Sequence, residues 1–115
     1  MTAGVSLEPV EVNDTSGVPA ELARNPDTFA LRVRGDSMIE EQVRDGDLIL
    51  AQSTPAARDG DTVVAMVRGE ATVKRFSRED GRVVLRPANE RLEPIVVEEE
   101  DVEIRGVVVA VIRKY

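Results

Sequence analysis

From Phe29 onward the chain is a succession of short apolar runs closed by glycine-bearing turns. Gly35 breaks the first, and Asp45-Gly46-Asp47, Asp59-Gly60-Asp61, Arg68-Gly69 and Asp80-Gly81 punctuate those that follow. Runs this short cannot be ordinary helices, and their Val, Ile and Leu content suits strands. Phe29, Leu31 and Val33 alternate with Ala30, Arg32 and Arg34, the pattern of a half-buried strand. Further strands are predicted over 48–51, 62–67, 70–76, 82–86 and 102–112. Arg68-Gly69 and Asp80-Gly81 read as tight hairpin turns. Pro87 and Pro94 bracket a loop around Ala88-Asn89-Glu90.

The expected fold is therefore mainly β, a small barrel-like structure or curved antiparallel sheets with one or two short helical turns. Those turns are expected at 19–23, with Pro19 in first position, and at 38–43. With two Phe, one Tyr and no Trp, the core must be built from Val, Leu and Ile. Residues 1–27 mix Pro, Gly, Asn, Asp and Ser without a sustained period and read as an irregular arm, with a short strand near 8–12. Residues 28–115 form the domain proper.

A chain of 115 residues supports one core. No run approaches the roughly 18 apolar residues of a membrane span, and the N-terminus lacks the blocks of a signal peptide. A cytoplasmic protein with no membrane contact is expected. The formal charge of −7 argues against direct binding to nucleic acid, which needs clustered basic residues. The acidic run Glu98-Glu99-Glu100-Asp101 reads as a solvated loop. The absence of Cys and His removes thiolate nucleophiles, Ser-His-Asp chemistry and the commonest transition-metal ligands. No metal or cofactor is expected, and any acyl transfer here must use a carboxylate or a lysine as its base.

Lysine is scarce. Lys74 and Lys114 stand against thirteen arginines, and Lys74 lies inside a strand-like run where Arg would serve equally well as a solvated charge. Lysine, unlike arginine, gives up its proton when desolvated. A buried Lys74 could therefore act as a base, whereas one facing water would be an ordinary strand residue. Ser37 also admits two readings. Ser37-Met38-Ile39-Glu40 matches a helix capping box. The same junction of strand and helix exposes a hydroxyl beside free backbone N–H groups, which could hold an oxyanion.

Gly35-Asp36-Ser37-Met38-Ile39, Asp45-Gly46-Asp47-Leu48 and Gly69-Glu70-Ala71-Thr72-Val73-Lys74-Arg75 follow one another in an order that resembles the LexA family of SOS-response repressors. The resemblance continues through Leu85-Arg86-Pro87-Ala88-Asn89 and Ile104-Arg105-Gly106-Val107-Val108-Val109, so that it covers essentially the whole chain. It implies a C-terminal Ser/Lys self-cleaving protease domain, with Ser37 as nucleophile, the backbone at Ser37 holding the oxyanion, and Lys74 as general base. Thr2-Ala3-Gly4 resembles the family's Ala-Ala-Gly processing site, which makes Ala3–Gly4 the implied scissile bond and the arm a remnant of the cleavage-site region.

The resemblance further implies a homodimer, stimulation of cleavage by RecA filaments on single-stranded DNA, and operator binding through an N-terminal domain that is missing here. Alternatives are a UmuD-like polymerase accessory subunit and a non-enzymatic dimerisation module. Residues 107–112 are apolar on both faces and lie near the end of the sequence. They are expected at a sheet edge, with Val107, Val109 and Val111 contributing to the dimer contact.

Overall fold

A computed structural model describes residues 6–10, 27–34, 46–87 and 93–113. Among the described residues eight strands make one antiparallel sheet: β1 (Ser6–Val10), β2 (Thr28–Arg34), β3 (Leu48–Ser53), β4 (Thr62–Val67), β5 (Glu70–Glu79), β6 (Arg82–Arg86), β7 (Ile95–Glu98) and β8 (Val102–Ile112). Their order across the sheet is β1-β2-β3-β8-β4-β5-β6-β7. The sheet curls into a half-barrel, bringing β1 against β5 on the inner face. The mainly-β, curved-sheet expectation holds. The helical turns expected at 19–23 and 38–43 lie outside the described residues.

Local chemistry explains the two hairpins. Arg68 and Gly69 have φ of 52° and 82°, and Asp80 and Gly81 have φ of 53° and 76°. Positive φ at both central residues defines a type I′ turn, whose twist matches that of the strands it joins. The registers Val67↔Glu70 and Glu79↔Arg82 close directly on those turns.

Both faces of the sheet carry apolar rows. Val10, Ala30, Leu50 and Ala110 lie across one face in register, and all four belong to or pack on a cluster with Leu48 and Ile112. Val33, Ile49, Ala51, Val64 and Val73 form the inner cluster, with Leu7, Phe29, Leu31 and Val108 against it. Phe76, Val63, Ala65, Val83, Leu85 and Val97 make a third. The simple alternation expected for β2 is thus incomplete, because Ala30 is buried as firmly as Val33.

β8 departs most from expectation. It is an interior strand, paired with β3 on one side and β4 on the other, so it offers no open edge. Two bulges let it serve both neighbours: Val109 is skipped between the Ala110 and Val108 pairings, and Arg105 between Gly106 and Ile104. Gly106 sits where the strands are tightest. A Cβ there would stand 2.7 Å from the Gln52 carbonyl oxygen and 2.8 Å from Cε1 of Phe29.

β7 was not foreseen, because the prolines around it suggested only a loop; Pro94 instead precedes the strand, where its missing N–H costs nothing. β3 and β5 run past their expected ends, and β1 begins two residues before the expected start at 8. The acidic run is solvated but not a loop. Glu98 closes β7, and Glu99–Asp101 form an exposed 3-10 turn.

Candidate active site

Lys74 lies on β5 opposite Val63 of β4 and is 5% exposed. Its chain neighbours explain the burial. Val73 and Phe76 are core residues, while Arg75 between them points to solvent. A lysine stem can lie along such apolar surface. The reading of Lys74 as a solvated strand residue does not survive this placement.

Ser37, Ala3 and Gly4 lie outside the described residues, but the strands that flank them are defined. β2 ends at Arg34, shortly before Ser37, and the chain is described again from Gly46. The Val33 N–H donates to the Asp47 carbonyl at 2.9 Å, and the Gly46 N–H donates to the Val33 carbonyl at 2.7 Å. The two ends of the intervening stretch are therefore fastened side by side. On the other side, β1 starts two residues after Gly4 and meets β5.

These flanks converge. Leu7, three residues after Gly4, and Val33, four before Ser37, pack in the cluster that holds Val73, immediate neighbour of Lys74. Three segments remote in sequence, each within four residues of a position that the sequence singled out, meet at one cluster.

One pairing near these flanks gave no sequence signal. Asp47, counted there only as part of a turn, is 2% exposed and accepts two hydrogen bonds from Arg113, Nε to Oδ1 and Nη2 to Oδ2, each 2.9 Å. This is the fork-to-fork geometry that makes Arg–carboxylate pairs strong and directional. Only the meeting of β3's start with β8's end brings the partners together.

Among the described residues no group of carboxylates and other donors is arranged to hold a metal ion, and no helix is long and apolar enough to cross a membrane.

The curled antiparallel sheet buries Lys74, and residues 1–109 match the Peptidase S24-like family. The chain belongs to that family. It is similar to named repressors over its length. The LexA repressor of Syntrophobacter fumaroxidans is 45% identical over 115 residues, covering all of this chain and 56% of that protein. The LexA repressor of Syntrophotalea carbinolica is 44% identical over 116 residues, covering all of this chain and 57% of that protein. That of Streptomyces coelicolor is 47% identical over 111 residues, covering 96% of this chain and 47% of that protein. The chain thus spans about half the length of the curated relatives it matches.

Proposed function

We propose that residues 28–115 are the latent serine-protease and dimerisation domain of a LexA-like SOS repressor, which cuts its own Ala3–Gly4 bond with Ser37 and Lys74. The observation that supports the reading is the shared cluster of Leu7, Val33 and Val73, residues near in sequence to the proposed scissile bond, nucleophile and base.

In this reading Lys74 accepts the Ser37 hydroxyl proton as Oγ attacks the Ala3 carbonyl carbon. Backbone N–H groups at Ser37 hold the oxyanion. When the tetrahedral intermediate collapses, the C–N bond breaks, and the Lys74 ammonium returns its proton to the departing Gly4 amine. An Ala3 ester on Ser37 remains. Water, deprotonated by Lys74, then hydrolyses it and restores both side chains. Each molecule is its own substrate and turns over once.

RecA filaments on single-stranded DNA are the proposed stimulus. Operator binding is assigned to a separate N-terminal domain, in keeping with the −7 charge of this chain. A two-fold homodimer is also proposed. Val109 and Val111, 47% and 46% exposed, supply apolar surface for it through their side chains rather than through a strand edge. Val107, partly buried, packs against its own chain's core and offers less surface than these two.

The test is a fusion in which a reporter protein ahead of Met1 supplies the upstream side of the bond. Cleavage after Ala3, read by intact mass, should occur in the wild-type fusion. Ser37→Ala and Lys74→Arg should both abolish it. Undiminished cleavage in Lys74→Arg would overturn the dyad.

A further inference from the structure

The mechanism above does not use the part-buried ion pair of Asp47 and Arg113. Asp47 and Arg113 lie 66 positions apart, and their fork joins the start of β3 to the end of β8. Burying a carboxylate costs several kcal/mol in lost hydration, and an apolar pair of similar volume would often stabilise a fold as well or better. What the ion pair adds is direction. Two parallel hydrogen bonds, each 2.9 Å, hold the Asp47 carboxylate in both position and orientation.

The location makes that direction useful. Asp47 uses its backbone carbonyl to accept from the Val33 N–H, and its neighbour Gly46 donates to the Val33 carbonyl. Ser37 therefore lies on a stretch whose two ends are tied to each other by backbone bonds, and one of those ends is tied to β8 by the ion pair. β8 in turn is hydrogen-bonded to β4, and β4 to β5, which carries Lys74. An unbroken chain of paired strands runs from Arg113 to the lysine.

We propose that Asp47, held by Arg113, is a positioning residue for the Ser37–Lys74 dyad, registering the nucleophile-bearing stretch against the sheet that carries the base. The inference rests on the dyad reading above. It assigns no direct contact with the reacting atoms.

The experiment labels the 115-residue chain with a fluorophosphonate probe. Ser37 Oγ forms a bond to phosphorus, fluoride leaves, and the hydroxyl proton passes to Lys74, so the labelling rate reports the geometry of the dyad without requiring the arm. Rates are compared across pH at a temperature where each variant is folded by circular dichroism. Asp47→Asn should lower the high-pH plateau by about ten-fold or more, the scale on which small misplacements cost rate. A purely structural role would leave the plateau of the folded protein at the wild-type level, and that result would overturn the proposal. Should Asp47→Asn fail to fold, Arg113→Lys carries the test, since it keeps the charge and loses the fork. A lowered plateau supports the positioning role, and a wild-type plateau refutes it. If the wild-type chain is not labelled at Ser37, or Lys74→Ala labels as fast, the dyad reading fails and this inference falls with it. Lys74-dependent labelling that ignores both Asp47→Asn and Arg113→Lys removes the positioning role and leaves the dyad standing.

Discussion

From β4 to β6 each strand's partner in the sheet is also the next strand in sequence, joined by two-residue turns. Between β3 and β4 the arrangement is different. Those two strands are consecutive in sequence yet do not pair, because β8 arrives from the far end of the chain and takes the place between them. The meander needs only local closure, whereas the junction requires a long loop of chain to be brought back before any hydrogen bond rewards it. Glycine marks the contrast. At Gly69 a Cβ would meet nothing within 4 Å, and the residue is needed for its φ of 82°. At Gly106 the backbone is ordinary and the residue is needed because Phe29 and Gln52 leave no room.

The sharpest way to break this comparison is at the end of β8. Arg113→Ala leaves the buried Asp47 carboxylate without its fork and should cost about 3 kcal/mol in urea unfolding, the scale for breaking a buried ion pair. Asp47→Ala should cost less, because Arg113 is 29% exposed and can turn toward water. Equal costs would mean that the buried carboxylate is not the penalised partner.

Gly106→Ala comes next, at about 2 kcal/mol, typical of forcing a methyl group into a filled site. The loss should appear chiefly as faster unfolding, since β8 inserts late if local hairpins form first. Gly69→Ala should cost about 1 kcal/mol, the penalty for left-handed backbone in an L-residue. It should appear chiefly as slower folding. Stopped-flow chevrons separate the two limbs, and the reverse partition would sink the claim that the meander leads.

The smallest effect belongs to the exposed network on the meander. Arg86 Nη1 donates to Glu79 at 2.8 Å and to Ser77 at 2.9 Å, and the Ser77 hydroxyl donates to Glu79 at 2.9 Å. The hydrogen bond from Arg86, followed by that from Ser77, lowers the Glu79 pKa below its ordinary 4.5. Its stabilising contribution is therefore complete above that ordinary value and is lost as pH falls through the lowered one. Glu79→Gln should remove this acid-side dependence while changing neutral-pH stability only slightly, as exposed pairs generally do. Carboxyl chemical shifts against pH in wild type and Arg86→Ala check the direction: loss of Arg86 must move Glu79 upward.

The meander was legible because turn residues act locally. Arg68-Gly69 and Asp80-Gly81, set between β-branched runs, announce both hairpins. β4 and β6 occur at the residues expected, and β5 only runs longer. β7 was hidden because the prolines near it look like loop signals and its four residues carry little pattern. The final strand was found but misplaced. Apolar residues on both faces are compatible with an interior strand as well as with an associating edge, and nothing in one strand's composition says which strands flank it.

The candidate site divides along the same line. Residue types at Ser37 and Lys74, with the absence of Cys and His, limited the available chemistry from the sequence alone, and the motif order pointed to the family. Whether Lys74 meets water depends on the strands laid beside it, so its burial was decided by the sheet. The Asp47–Arg113 fork depends on a meeting of strands 66 positions apart, which no local pattern encodes. Short-range dihedral preferences and residue chemistry are properties of the chain itself, whereas burial and long-range pairing arise only when remote segments compete for the same space. That competition placed β8 between β3 and β4, closed Gly106 against Phe29 and set Arg113 on Asp47.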